Sequence, residues 1–165
     1  MIDAAIFLGA LAAALNFSVG VFADRYGPDV SGRFLEINPR YDAASLIDWV
    51  THNPTKARGY IFPVLFPFDV MFLICLGGFL GLGSVIAAHT LKWPPYADRL
   101  LVLAPMLFMA CDFAEDVMLS RFLVSPTLVT EEAVAVAKAA TNAKITTCSI
   151  AIFQTMVVSA LGLFS

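Results

Sequence analysis

The side chains best suited to chemistry in this sequence are four carboxylates that lie inside apolar stretches. Asp69 falls in one such stretch, and Asp112, Glu115 and Asp116 fall in another. An ionisable side chain in a membrane helix is costly, so it usually faces the interior of a helix bundle, a partner charge or a water-filled cavity. Carboxylates in such positions can bind a cation, hold the amine or hydroxyl group of an amphiphile, or relay protons.

The composition places these carboxylates in a membrane protein. Hydrophobic residues make up 59% of the chain and charged residues 14%, whereas soluble domains have about 45–50% apolar and about 25% charged residues. The mean hydropathy is +0.81. A spanning helix needs about 20 mostly apolar residues, and four segments meet this requirement: 2–23, 61–88, 100–124 and 145–164. We therefore predict an all-α fold, a four-helix transmembrane bundle in the lipid bilayer, with residues 1–165 forming one integral membrane domain.

The first segment is expected to be a retained helix rather than a signal peptide. No basic residue precedes Arg25, and Asp3 stands where a signal peptide carries positive charge. Gly9 contributes to a small-residue face in this helix, which favours close packing. In the second segment, Gly77 and Gly81 form a small-xxx-small pair. This pair predicts a helix contact, either within the bundle or between subunits.

The long first loop, residues 24–60, is predicted to carry a short amphipathic helix at the membrane interface, over residues 42–50. Asp42 is a suitable N-cap, and apolar residues recur at helical spacing after it. Trp49 lies at the edge of the apolar stripe, which suits the headgroup layer. The fourth helix is expected to begin well before its apolar part, because Thr130 can cap a first turn that carries two glutamates.

Distances along the helices place the carboxylates at one depth. Asp69 lies about 13 Å into its helix at 1.5 Å per residue, and Asp112 lies at a similar distance from the end of the third segment. Asp112, Glu115 and Asp116 occupy positions i, i+3 and i+4, which share one helix face. We predict that Asp69 and Asp112 face each other in the bundle interior. Asp116 and Lys144 are expected nearer the surface formed by the first loop.

Two interpretations of this polar layer follow from the residues. In the structural one, Lys144, Asn16 and Arg121 neutralise or hydrogen-bond the acids and fix the helix register. In the functional one, closely spaced acids against one lysine leave excess negative charge, so that one or two carboxyls carry a proton or bind a ligand. The candidates for ligand binding or proton handling are Asp69, Asp112, Glu115, Asp116, Asn16 and Lys144.

Other kinds of site lack their sequence signals. The three cysteines stand in different segments without a C-x-x-C pair, which argues against a disulfide or iron–sulfur centre. The positions of the two histidines do not suit a haem, and no Glu-x-x-His motif suits a di-iron site. No catalytic set, metal site or nucleic-acid patch is predicted. His89 could ligate a pigment, although a histidine beside Lys92 and Trp93 is more commonly a solvated helix end.

Basic residues predict the orientation in the membrane. The first and third loops carry eight of them: Arg25, Arg33, Arg40, Lys56, Arg58, Arg121, Lys138 and Lys144. The second loop carries Lys92 and Arg99. Short loops rich in Lys and Arg stay in the cytoplasm, so the first and third loops are predicted to be cytoplasmic and both termini to lie outside.

The order of these features resembles that of small, uncharacterised bacterial membrane proteins with four spans. The shared features are a tryptophan in the first loop (Trp49), an acid in the second helix (Asp69), a D-x-x-E motif in the third (Asp112 to Glu115) and a lysine opening the fourth (Lys144). In that group an asparagine often follows the glutamate, whereas this chain has Asp116, which adds charge. The resemblance implies a location in the bacterial inner membrane and no particular activity.

A weaker likeness is to the four-helix pocket of sterol isomerases and sigma-2 type proteins, which also use intramembrane acids. This chain lacks the pair of histidines expected of that isomerase chemistry, so the likeness implies only a pocket.

Two functional classes follow. The first is a non-enzymatic accessory or scaffold subunit of a larger membrane assembly, or of a homo-oligomer, favoured by the short loops and the glycine pair. The second is a membrane protein that handles a small molecule, a lipid or protons, favoured by the unbalanced acids. We expect the first class, with the second as its alternative, and an enzyme ranks third.

Overall fold

The computed structural model describes residues 1–27 and 40–163, and every regular element within these residues is helical, as predicted. The middle of the predicted first loop and the last residue of the predicted fourth segment lie outside the described residues. The helices are α1 (Ile2–Tyr26), α2 (Ala43–His52), α3 (Pro54–Gly59), α4 (Val70–Thr90), α5 (Tyr96–Leu101), α6 (Leu103–Val124) and α7 (Glu131–Leu163). An irregular helical segment, Tyr60–Asp69, joins α3 to α4.

Three helical stretches are long and apolar enough to cross a membrane. They are Ile2–Tyr26, Pro54–Thr90 and Glu131–Gly162. Helices satisfy their backbone hydrogen bonds internally, which is what a hydrocarbon environment requires. The described residues therefore have the helices of an integral membrane protein, as the composition predicted.

Helix α6 is similar in length, with 22 residues, but it carries several charged side chains. It packs against both α4 and α7, while α1 packs along α4. The predicted segment 100–124 is divided between α5 and α6. The division falls one turn before Pro105, which has no N–H to donate to the carbonyl of Leu101.

The irregular segment before α4 has a local cause. Phe62 (φ −133°, ψ 117°) and Phe66 (φ −127°, ψ 120°) have extended rather than helical backbone angles. Each of them precedes a proline, which disfavours the helical conformation in the residue before it. Regular helix resumes at Val70, so Asp69 stands at the junction between irregular and regular backbone.

The predicted short helix of the first loop is present as α2. The backbone N–H of Ser45 donates to the Asp42 carboxylate at 2.7 Å, and the N–H of Asp42 donates to the Ser45 hydroxyl at 3.3 Å. This capping box fixes the start of the helix. The buried face consists of Ala43, Leu46, Trp49 and Val50. Trp49 therefore packs into the protein core, whereas the sequence suggested the headgroup layer.

A hydrophobic core lies beneath α2. It includes Tyr60, Val64, Leu119 and Phe122, which are all buried. Val129, from the loop before α7, belongs to the same core. The first and third loops therefore lie at the same end of the long helices.

The N-terminus of α7 is at the predicted place. The Thr130 hydroxyl oxygen accepts a hydrogen bond from the N–H of Ala133 at 3.1 Å, and two glutamates follow in the first turn. The helix then runs for 33 residues, because no proline or glycine interrupts it until Gly162. Its first four turns, residues 131–144, precede the predicted span 145–164.

The glycines mark close contacts within the protein. A Cβ atom at Gly77 would overlap the side chain of Met109 on α6. Gly81 is buried and faces the junction of α5 and α6. A Cβ at Gly9 would lie 3.0 Å from the ring of Phe79. The predicted helix contact of the Gly77 and Gly81 pair is therefore within the chain.

Candidate functional site

The four predicted carboxylates are all buried. Asp112, Glu115 and Asp116 share one face of α6, and their exposed fractions are 2%, 0% and 0%. Asp69 is 6% exposed. One carboxylate oxygen from each of Asp69, Asp112 and Asp116 lies within 4.8 Å of the others. The structure thus brings Asp69 and Asp112 together, as matched depth along two antiparallel helices predicted.

Side chains of α7 reach the same cluster. Lys144 Nζ lies 3.0 Å from Asp112 Oδ1 and also forms an ion pair with Glu115. Thr141, almost one turn before Lys144, donates its hydroxyl hydrogen to Glu115. Glu115 is therefore held by two side chains of α7, which ties α6 to α7. The sequence placed Lys144 nearer the surface, whereas its ammonium group reaches the acids directly.

The carboxyl groups outnumber the buried cations. Lys144 is the only buried basic side chain in residues 1–27 and 40–163, and Arg121, which the structural interpretation invoked, is exposed. The cluster therefore has four buried carboxyl groups and one buried ammonium group, which pairs with Asp112 and Glu115. Closely spaced carboxylates away from water cannot all remain ionised unless further positive charge is supplied, either as protons or as a bound cation.

A cavity of about 510 Å³ lies beside this cluster. Asp69, Asp112 and Lys144 are its charged lining residues. The other lining residues come from four helices and are mainly apolar: Val19, Phe72, Leu76, Phe108, Ile145 and Cys148. Its volume is within the range of about 300–1,000 Å³ that is typical of small-molecule sites.

Exposed side chains of α1 and α7 show where the cavity reaches the protein surface. Asn16 on α1 and Ser149 on α7 both line the cavity, and both side chains are exposed. The sequence placed Asn16 in the layer of acids, and the structure puts it at the cavity wall. An opening flanked by two helices faces sideways, toward the lipid in a membrane, and not along the helix axes.

The remaining predicted position, His89, lies at the other end of α4. Its Nε2 atom is 2.9 Å from Asp98 Oδ2. Both side chains are partly exposed. This contact links the end of α4 to α5 and is remote from the carboxylate cluster along the chain and the helix.

A second buried polar group escaped the sequence argument. The hydroxyls of Ser84 and Thr155 are 2.9 Å apart, and the Gln154 side-chain amide donates to the carbonyl of Leu101 at 2.6 Å. That carbonyl is the one left without a helical partner by Pro105. Small hydroxyl residues at matched depth in two apolar helices were the available signal, and Thr141 could have been found from its helical spacing to Lys144.

The cluster has the donor atoms for a cation. Three carboxylate oxygens at this spacing suit a hard metal ion, which takes oxygen ligands. They suit an ammonium group equally, since it donates up to three hydrogen bonds. The cluster already has an ammonium group as a partner, because Lys144 Nζ lies 3.0 Å from Asp112 Oδ1.

Comparisons with protein-family models, with curated proteins and with solved structures give no match.

Proposed function

We propose that this chain is a four-helix integral membrane protein whose carboxylate cluster binds an organic cation. The observation that carries the proposal is the placement of Asp69 and Asp112, beside one lysine, in the wall of a mainly apolar cavity.

The distribution of side chains around α6 supports it as the fourth span. Its carboxylates are turned inward, and the outer face is apolar: Met106 is 62% exposed and Phe113 is 47% exposed. A helix with this arrangement presents hydrocarbon to lipid and charge to the bundle, which is how membrane helices accommodate acids. Composition alone does not mark α6 as a span, because composition includes its charged residues whether they face the bundle or the lipid.

The ligand chemistry follows from the two halves of the cavity. The acids supply excess negative charge, which favours a cation. Phe72, Leu76 and Phe108 supply an apolar wall, against which a hydrated metal ion gains little and an organic group gains contact. A protonated amine on an apolar body satisfies both halves.

The purified protein in lipid nanodiscs can be titrated calorimetrically with 4-phenylbutylamine and with its neutral counterpart 4-phenylbutanol. The two probes have nearly the same size and differ in charge. Binding of each probe to empty nanodiscs provides the correction for partition into lipid. A hydrogen bond to a charged partner is worth about 1.5–3 kcal/mol, so we expect the amine to bind at least about tenfold more tightly. Equal affinities for the amine and the alcohol would exclude the proposal.

The orientation and location are part of the same proposal. Both basic loops lie at one end of the helices, which supports a cytoplasmic position for that end and external termini. The order of Trp49, Asp69, Asp112, Glu115 and Lys144 supports membership among the small four-span proteins of the bacterial inner membrane.

A second candidate function is that of an accessory subunit or a homo-oligomer. The observation in its favour is that α1 and α7 are mostly exposed. In the most apolar 18-residue stretch of each helix, only 17% of the residues of α1 and 11% of those of α7 are buried. Such faces pack against lipid or against another membrane protein. Extraction in a mild detergent distinguishes these two environments. A lone, monodisperse monomer would rule out the subunit function, and a stable larger complex would support it.

A further inference from the structure

The cavity beside the carboxylates continues into a second one. This second cavity, of about 680 Å³, lies between α1 and α4. Both cavities are lined by Asn16, Phe72 and Leu76. They are therefore two parts of one groove, which begins at Asp69 and ends near Ile6 and Phe79.

Helical spacing shows that the groove follows one stripe of each helix. The lining residues of α1 include Ile6, Gly9, Ala13, Asn16 and Gly20, and those of α4 and the preceding junction are Asp69, Phe72, Leu76 and Phe79. Successive members of each set are three or four residues apart, so each set lies on one helix face. Small residues on α1 and aromatic rings of α4 line this face.

The polarity of the groove changes along its length. The acids are at one end, and the part beyond Leu76 is lined by apolar residues. Phe79 stands ten residues after Asp69, which is about 15 Å along a helix axis. An extended alkyl chain of roughly twelve carbons covers this distance, because each carbon–carbon bond of about 1.5 Å advances a zigzag chain by about 1.25 Å along its axis.

We infer that the groove holds a single-chain amphiphile with a protonated amine at the carboxylates and an alkyl tail of about ten to twelve carbons along α1 and α4. This inference rests on the proposed function, because the head group is the cation of that proposal. Charge complementarity selects the head group, and the length and apolar lining of the groove select the tail. The opening between α1 and α7 gives such a molecule access from the side of the membrane.

The groove determines the position of the ligand and adds little hydrophobic driving force for its binding. An alkyl tail in lipid is already in hydrocarbon, so moving it into the groove gains little from the exclusion of water. The tail instead fixes the depth and direction of the head group. For this reason the position of the tail is a better test than the dependence of affinity on chain length.

The test uses dodecylamine that carries a photoreactive diazirine on its terminal carbon, with the protein in lipid nanodiscs. After irradiation, digestion and mass spectrometry locate the labelled residues. We expect labels to concentrate at Ile6, Gly9 and Phe79, and an excess of unmodified dodecylamine to remove them. Labels spread evenly over lipid-facing residues, such as Phe153 and Met156 on α7, would overturn the inference.

Two alanines on α1 provide a matched pair of variants. Ala13 and Ala14 are both exposed, and of the two only Ala13 lines the groove. We expect Ala13→Phe to reduce labelling of the groove about tenfold, because a ring there occupies the space of the tail, and Ala14→Phe to leave it unchanged. Equal labelling of both variants would contradict the inference. Labelling of the unmodified protein remains decisive if Ala13→Phe fails to fold.

Binding of 4-phenylbutylamine to the same samples separates the two proposals. This short amine reaches the carboxylates without occupying the far part of the groove. If it binds while the diazirine labels are spread evenly, the tail assignment fails and the cation site stands. If it does not bind, the cation site itself fails.

Discussion

At the scale of single residues, the central feature is the unequal number of carboxyl and ammonium groups. Lys144 contacts Asp112 at 3.0 Å and also pairs with Glu115, so it neutralises the cluster only in part. Removing one partner from a buried ion pair leaves an uncompensated charge, which destabilises a protein far more than the loss of a surface charge. The lysine therefore has a structural role even if the acids bind a ligand.

The variant Lys144→Ala tests this role. We expect it to lower the free energy of unfolding by about 3–5 kcal/mol, because it leaves two acids without their ammonium partner. Arg121→Ala removes an exposed basic residue from α6 and is expected to change stability by less than about 0.5 kcal/mol. Unfolding in mixed detergent micelles measures both. Equal stability of the two variants would show that Lys144 does not hold the cluster together.

The sequence was sufficient to predict which acids meet but not how they are paired. Asp69 and Asp112 could be matched because they lie at similar sequence distances from the same end of two adjacent antiparallel segments, and the irregular backbone before Asp69 did not remove this match. The pairing of Glu115 with Thr141 and Lys144 depends on the rotation of α7 about its axis. No residue pattern determined that rotation in advance, since the hydrophobic residues of a membrane helix surround it almost evenly.

At the scale of elements, the helix caps gave reliable local predictions. Asp42 and Thr130 begin α2 and α7 as expected, because their side chains accept hydrogen bonds from the first turn. The inward packing of Trp49 was not predictable, since an amphipathic helix has the same pattern on a membrane surface and on a protein core. The groove was also not predictable, because it arises from stripes on two helices.

The contact between α4 and α6 is tested at Gly77. A larger side chain there must displace Met109, so we expect Gly77→Leu to reduce the free energy of unfolding by about 1–3 kcal/mol. Gly20 is the control, because a Cβ at that position has no neighbour within 4 Å. Gly20→Leu should leave stability unchanged or raise it slightly, since leucine favours helix more than glycine does. Similar losses in both variants would contradict the assigned contact.

The start of α2 is expected to depend on pH. Hydrogen bonds from the backbone and side chain of Ser45 hold the pKa of Asp42 below its ordinary value. The ionised carboxylate therefore stabilises α2 at pH values above the unfolded pKa, and this contribution is lost as the pH falls through the lower, folded pKa. The protection factors of the α2 amides, in which the observed exchange rate is corrected for the intrinsic effect of pH, should fall over that acidic range. In Asp42→Asn, which keeps an acceptor but does not titrate, the same acid dependence would disprove the assignment.

At the scale of the whole molecule, the feature to be tested is the orientation of the helices in the membrane. In a background without native cysteines, Thr127→Cys reports on the third loop and Pro94→Cys on the second. We expect an impermeant maleimide to label position 94 in intact cells and position 127 only after permeabilisation, because the first and third loops carry most of the basic residues. Labelling in the opposite order would reverse the proposed orientation.

Replacing Asp69 and Asp112 by asparagine distinguishes a structural cluster from a binding site. Asparagine keeps the hydrogen bonds of aspartate and removes its charge. If the acids serve only to fix the bundle, Asp69→Asn with Asp112→Asn should leave ligand behaviour unchanged and stability little altered. If they bind a cation, the double variant should fold and lose binding.

The most direct measurement is therefore the affinity of the Asp69→Asn, Asp112→Asn double variant for 4-phenylbutylamine in nanodiscs, with folding checked by its unfolding transition. Asp3→Asn with Asp48→Asn is the matched control, because it removes the same charge from two exposed positions. We predict that the first variant folds and loses at least about 99% of the affinity, which is near 2.7 kcal/mol, while the control binds as the native protein does. A folded Asp69→Asn, Asp112→Asn variant that binds the amine with native affinity would contradict the account.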